Sequence, residues 1–337
     1  MLKSILITGA NGEMGHGLIK KLSELKNKNI VCLDIDNISG QIKHLVMDSI
    51  NGSILDENII SYINDKYKIT EIYHLAALLS SKAEHSPQLA QEVNVNGTLK
   101  LLNLAIEQSK KNNITVKFFF PSSIAVYGLN GLKNKNLAGK INEKQFCLPE
   151  TIYGCNKLYS EHLGRYYSIY YNRLSKNYKP GLIDFRSIRF PGLISAYTLP
   201  TGGTTDYAPE MLHAAASNES YTCYVNENTT LPFMIMDDAI ESIIKLMSTQ
   251  KDKLNQLIYN IGSYSVSALD FKNIIMKYYN NAKIKFCTDL KRQSIVDSWP
   301  KDINYDAAVA DWKFSPKYNF KNSFKDYLIP IIRRRYE

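Results

Sequence analysis

The feature that most restricts this chain lies at its start: a strand, a glycine-rich turn, a helix and a second strand that ends in an acid. Residues 2–8 (LKSILIT) form a short apolar run stopped by glycine, the pattern of a strand buried on both faces. Gly9-Ala10-Asn11-Gly12-Glu13-Met14-Gly15 follows, then a helical pattern through Leu18, Ile19, Leu22 and Leu25, then Ile30-Val31-Cys32-Leu33 closing at Asp34. Glycines let the backbone come close to a pyrophosphate, and a helix N-terminus offers free N–H groups and a partial positive charge. Asp34 lies about twenty residues past the last glycine, where a carboxylate accepts from ribose hydroxyls and repels a 2′-phosphate. The unit therefore reads as a dinucleotide cradle that prefers NAD to NADP. Its expected contacts run from Gly9 through Asn11, Gly12, Glu13, Met14 and Gly15 to Asp34.

Strands and helices keep alternating beyond it. Leu45-Val46-Met47 followed by Asp48 reads as a third strand tip, with Asp48 either reaching adenine or capping a helix. Ile72-Tyr73-His74 is a fourth strand that runs into Leu75, Ala76 and Ala77, small enough to let the cofactor approach. His74, inside an apolar strand, reads as a packed core residue. A helical stretch at 84–109 precedes a strand at 116–120. The pattern implies an α/β fold: a doubly wound parallel sheet of Rossmann type, with ligands at the strand C-termini and a smaller C-terminal substrate lobe. Residues 1–190 are expected to form the nucleotide domain, joined by strands near 231–236 and 257–261. Residues 191–228 and 262–337 are expected to form the lobe.

The chemistry sits on the next two elements. The strand at 116–120 ends in Pro121-Ser122-Ser123-Ile124-Ala125-Val126-Tyr127-Gly128, which puts a serine hydroxyl at the ligand edge. After a polar insertion at 129–147, Tyr153 and Lys157 open a helix at i, i+4 spacing and share one face. A free tyrosine, with pKa about 10, is a poor base at neutral pH. A nearby ammonium favours the phenolate and can also hold a ribose. Tyr127 has no lysine four residues on and is expected to pack.

Composition removes other classes. The formal charge of +9 is scattered through Lys/Asn-rich stretches such as 110–111 and 133–140, so it reads as solvated surface and not as a nucleic-acid face. The Lys/Asn-rich loops are expected to be exposed linkers. Five cysteines without a CxxC pair read as reduced thiols with no metal site. No apolar run reaches the roughly 18 residues of a membrane span. A strand starting at Leu2 leaves no room for a leader, so the expected compartment is the cytoplasm. The mitochondrial matrix is the alternative if a transit peptide lies outside this chain.

The order GxxGxxG, Asp34, HLAA, SSxxVYG and YGxxK resembles the extended short-chain dehydrogenases/reductases, which include sugar-nucleotide 4-epimerases and dehydratases. More narrowly, IYHLAALLSSKAEHSP (72–87), PSSIAVYG (121–128), the long stretch at 185–211, LPFMIMDDAI (231–240) and RQSIVDSWPKDINYDAAVADW (292–312) are similar to the short-chain type of L-threonine 3-dehydrogenase. That resemblance implies oxidation of threonine at C3 to 2-amino-3-oxobutanoate with NAD taking the hydride. It implies Tyr153 as base, Lys157 as its partner and Ser123, rather than Ser122, as the hydroxyl that orients the substrate. It further implies Ser80, Gly203 and Thr205 around the amino acid, Pro191 beside the cofactor, and a homodimer.

Taken without the resemblance, the TGGTTDYA segment at 201–208 reads as an ordinary glycine/threonine loop. Asp237 and Asp238, ahead of an apolar helix, are expected to cap it. Arg292 and Trp299 either close the pocket or anchor the lobe. The helices at 84–109 and 151–172 carry apolar residues on more than one face, the second through Leu158, Leu163, Tyr166, Tyr167, Ile169 and Tyr170. Two copies of this helix pair are expected to meet across a twofold axis. Two other functions use the same motifs. A sugar-nucleotide epimerase or dehydratase needs a roomier lobe with basic diphosphate contacts, whereas an NAD-sensing protein has no need of the Tyr153/Lys157 pair.

Overall fold

Seven strands meet in one sheet in the computed structural model, which describes residues 2–25, 28–200 and 202–337. Across the sheet the order is Ile258–Asn260, Ile183–Phe190, Val116–Ser123, Lys68–His74, Lys3–Thr8, Asn29–Asp34, Asp48–Asn51. Every neighbouring pair is parallel. The direction of winding reverses between Lys3–Thr8 and Lys68–His74, which opens a crevice at their C-terminal ends. Helices cover both faces because both are apolar. On one side Leu18, Ile19, Ile240, Ile243 and Leu246 pack with Ile7, Tyr73 and Phe119. On the other, Leu101, Leu102 and Ala105 pack with Leu6, Val31, Ile72 and Phe185.

The third strand departs from expectation. Residues 45–47 are not strand, and Asp48 begins the strand Asp48–Asn51. In a parallel sheet that puts Asp48 at the edge opposite the crevice. Its carboxylate accepts from Lys66 Nζ (2.8 Å) and from the Tyr67 hydroxyl, and these bonds hold it below the usual carboxylate range. It neither reaches adenine nor caps a helix.

Of the two late strands expected in the main sheet, only Ile258–Asn260 joins it. Thr230–Ile235 pairs in parallel with Gly192–Ile194 and antiparallel with Tyr264–Ser267 in a separate sheet. The cause is Pro191: it has no N–H, the ladder of Ile183–Phe190 stops there, and the chain starts afresh in the second sheet. The lobe is built on that sheet, with Tyr207, Phe233, Phe271, Phe324 and Trp299 among its buried residues.

Asp238 does not cap its own helix. Its carboxylate accepts the N–H groups of Lys317 (2.9 Å) and Tyr318 (3.1 Å), tying the C-terminal segment to the nucleotide half. Residues of the expected lobe also pack beneath the main sheet, where Ala308, Trp312 and Phe314 join the core that contains Ile240 and Tyr259. The lysine-rich insertion is docked, and is no free linker. It forms the helix Leu132–Leu137 and a short strand, Lys140–Ile141, paired with Asp302–Ile303. Lys135 is buried, donates to Val296 O at 2.7 Å, and is lowered by burial to about 8.

Candidate active site

The crevice is bounded first by the glycine turn. Gly9 has φ +65°, a left-handed conformation that favours glycine. A Cβ there would also lie 2.5 Å from Ala76 N, so the turn and the segment Leu75-Ala76-Ala77 can sit side by side only because position 9 is bare. Gly12 precedes the helix Glu13–Ser23, whose first N–H groups open toward the crevice. Asp34 ends its strand beside this turn, and its carboxylate accepts from Asn11 N (2.8 Å) and Asp36 N (3.1 Å). Two bonds leave a carboxylate spare acceptor sites for ribose hydroxyls. Asn11 Oδ1 in turn accepts from Ser39 N at 3.1 Å, while Met14 packs on the core behind the turn. Glu13 is raised to about 7, first by burial and then by the charge of Asp206, with a bond from Thr198 opposing.

The second boundary is the strand Val116–Ser123 and the helix Ile152–Arg165 packed against its end. Gly154 makes that approach close, since a Cβ there would collide with the Ala125 carbonyl. Thr151 caps the helix through a bond from Gly154 N (3.0 Å). Lys157 Nζ donates to Pro121 O at 2.7 Å and lies 5.4 Å from the centroid of the Tyr153 ring. The two serines differ. Ser122 is buried and donates to Glu161 Oε1 at 2.5 Å, whereas Ser123 is partly exposed and its hydroxyl accepts from Ala125 N at 3.2 Å.

Electrostatics here run against the expectation from spacing. Burial pushes the Tyr153 phenol up, and it lowers Lys157 to about 7 against the pull of the Glu161 carboxylate. In a water-poor site, the cost of holding a charge outweighs what one neighbouring ammonium gives to a phenolate. His74 packs as expected, with its ring nitrogens bonded to Thr8 Oγ1 (2.8 Å) and Thr98 Oγ1 (2.9 Å). Burial lowers it to about 3, so it stays neutral.

The lobe supplies the third boundary. Ser80 Oγ accepts from Thr204 N (3.1 Å) and Thr204 Oγ1 (3.0 Å), joining the helix after the fourth strand to the glycine/threonine loop. Gly203 N donates to the Asp206 carboxylate, and Thr205 lies against Gly192. Thr201, the first residue of that loop, lies outside the described residues. Trp299 is buried in the lobe core, and its indole N–H has no hydrogen-bond partner among the described residues. Arg292 stacks on Tyr224 at 4.2 Å, and Tyr224 donates to Thr204 O.

One group of residues gave no signal in the sequence. Arg189 forms a buried ion pair with Glu161 (2.6 Å) and donates to the Tyr127 hydroxyl (3.0 Å), which donates to Asn260 Oδ1 (2.7 Å). Tyr127 thus does more than pack. A second group starts from Asn94, which bonds both backbone groups of Leu78 and reaches Asn156 on the Tyr153 helix. Both groups link distant segments behind the reacting side chains.

Residues 5–262 match the family model described as the NAD dependent epimerase/dehydratase family. The chain belongs to that family. Its cofactor is NAD, in keeping with the glycine cradle and Asp34. Another family member, an uncharacterized epimerase/dehydratase of Staphylococcus haemolyticus, is 35% identical over 325 residues, covering 94% of each chain. Among solved structures, an L-threonine dehydrogenase from Clostridium difficile is 35% identical with a TM-score of 0.85, covering 99% of each chain. A monomeric L-threonine 3-dehydrogenase from a metagenome database has the same identity and TM-score, and covers 99% of this chain and 100% of its own. Among the described residues, no helix is long and apolar enough to cross a membrane.

Proposed function

We propose that this family member oxidises the 3-hydroxyl of L-threonine to 2-amino-3-oxobutanoate. The observation that carries the reading is the likeness to solved L-threonine dehydrogenases over the whole chain, lobe included, because the lobe is what distinguishes substrates in this fold. NAD held in this crevice would supply the acceptor for the hydride of C3, and its positive charge would favour the Tyr153 phenolate. Tyr153, as the phenolate, takes the hydroxyl proton; the O–H and C3–H bonds break, C3–O becomes a double bond, and a ketone forms. Lys157 holds positive charge near the phenolate and Ser123 donates to the substrate oxygen. Ser80, Gly203 and Thr205 surround the amino acid, with Ser80 acting through its tie to Thr204. Gly9, Asn11, Gly12, Glu13, Met14 and Gly15 hold the pyrophosphate, Asp34 the adenosine ribose, and Leu75, Ala76, Ala77 and Pro191 line the cofactor's path. The test is NADH formation with purified protein and a panel of L-threonine, D-threonine, L-serine and UDP-glucose. L-Threonine alone is expected to give strong turnover; turnover confined to the nucleotide sugar would move the chain to the epimerase/dehydratase side.

Two consequences concern the cofactor. Asp34→Ala should shift the NADP/NAD ratio of kcat/KM toward NADP by about tenfold, by removing one ribose bond and one like-charge repulsion. An unaltered ratio would make Asp34 a strand-end cap and nothing more. Glu13 lies in the turn that would hold the pyrophosphate, and burial together with the Asp206 charge raises it to about 7. Below that pH it is neutral, and above it a carboxylate faces another anion, so the Kd for NAD should rise with pH through neutrality. Glu13→Gln should flatten that titration, and a wild-type Kd that does not change with pH would contradict the assignment.

Assembly belongs to the same proposal. On the Tyr153 helix, Cys155, Tyr159, Tyr166 and Ile169 form an exposed stripe, while the neighbouring helical stretch exposes Leu89 amid polar Glu92, Asn103 and Glu107. We propose a homodimer through this face, less apolar on its second helix than the sequence suggested. Light scattering decides it, and an active monomer would rule the dimer out; the relative from the metagenome is monomeric.

A further inference from the structure

The loop that bears Gly203, Thr204 and Thr205 is held from outside by the very end of the chain. Arg335 Nη1 donates to the Tyr197 carbonyl at 3.0 Å across 138 residues of sequence. The next residue, Tyr336, has its hydroxyl 3.0 Å from His213 Nδ1, with the two rings 5.8 Å apart. Tyr197 lies near the start of the loop, and His213 belongs to the helix Tyr207–Ala216, which starts directly after it. Two successive side chains thus grip the two ends of one wall of the site.

We propose that Arg335 and Tyr336 are positioning residues, which strap this wall over the crevice and so set how well it receives the amino acid. The proposal rests on the reading that the loop lines a threonine pocket. Inside the wall, short turns already make stiff units. Ser195 Oγ accepts from Tyr197 N, Thr198 N and Thr198 Oγ1, and the Asp206 carboxylate accepts from Gly202 N (2.9 Å) and Gly203 N (2.6 Å). Units that are stiff within themselves move as bodies about their attachments. Among the described residues, the loop is attached through Ser80 with Thr204, Tyr224 with Thr204 O, Thr198 with Glu13, Thr205 against Gly192, and the C-terminal helix. Around Tyr197 the hold is reinforced, since Tyr327 meets its ring edge-on at 6.2 Å and Lys20 Nζ lies 5.5 Å from its centroid. His213 is buried and lowered to about 4, by burial first and the charge of Arg335 second, so its ring is neutral near neutral pH.

The experiment compares the wild type, an Arg335→Ala/Tyr336→Phe double variant, and Arg333→Ala. Arg333 lies on the same helix but donates to Tyr278 O, away from the wall. Hydrogen exchange of the amides at 202–206 is measured together with steady-state kinetics. In the double variant, exchange there should be about tenfold faster. KM for L-threonine should rise about tenfold, with kcat and the Kd for NAD within about twofold, the signature of lost ground-state positioning. Arg333→Ala should match the wild type in every readout. Unchanged exchange, faster exchange with unchanged KM, or equal effects from Arg333→Ala would each overturn the proposal. If the wild type does not oxidise L-threonine, the functional reading fails by itself. The exchange difference between the two variants then decides the strap alone.

Discussion

Tyr153→Phe is expected to lower kcat for L-threonine oxidation by about a thousandfold, the middle of the range for a lost general base. The ring stays, so its packing among the lobe residues stays. The glycine turn and Asp34 lie on other elements, so the Kd for NAD should remain within about twofold of the wild type. The size of the effect follows from burial. Tyr153 is half-buried and Lys157 buried, and burial pushes the phenol up and the ammonium down. No solvent molecule replaces the phenolate easily in such a place. Stopped-flow measurement of the first turnover checks it, because product release does not enter. A residual rate within about tenfold of the wild type would remove Tyr153 from the base role.

The second large effect is structural. Arg189→Met should destabilise the fold by about 3–5 kcal/mol, because it leaves the Glu161 carboxylate buried without its partner. Arg189 and Glu161 are almost wholly inaccessible and share two direct bonds, while Ser122 adds a third to the same carboxylate. Pairing the change with Glu161→Leu should restore most of the loss, since an apolar pair needs no compensating charge. In the single variant the deficit should shrink as pH falls, because an unpaired buried carboxylate is relieved by taking up a proton. Denaturant titrations of the wild type, single and double variants check all three statements. A loss below about 1 kcal/mol in the single variant would mean that water reaches the pair.

Local signals explain why so much of the site could be read without coordinates. The glycine turn, its helix and Asp34 lie within one supersecondary unit, and Tyr153 and Lys157 within one helical turn, so spacing alone fixes their relation. Asp48 failed because its assignment depended on a strand boundary. Moving the strand three residues along the chain transferred the acid to the opposite edge of the sheet. Asp238 failed because its partners, the N–H groups of Lys317 and Tyr318, are about eighty residues away and carry no sequence mark. The Arg189 and Asn94 groups were hidden for the same reason. Each joins three or more segments, and its members look like ordinary strand or helix residues when read singly. The second sheet was missed because the break at Pro191 looked like the end of a strand, with nothing to show that the chain resumes pairing elsewhere.

The central claim is that hydride leaves C3 of L-threonine and is carried away as reduced cofactor. L-Threonine deuterated at C3, incubated with the purified protein and NAD, tests it most directly by mass spectrometry of the cofactor. The account predicts that the NADH formed carries the deuterium, that it accumulates in step with the amino-ketone, and that Tyr153→Phe forms almost none. Deuterium that stays on the amino acid, or reduced cofactor formed without it, would contradict the account.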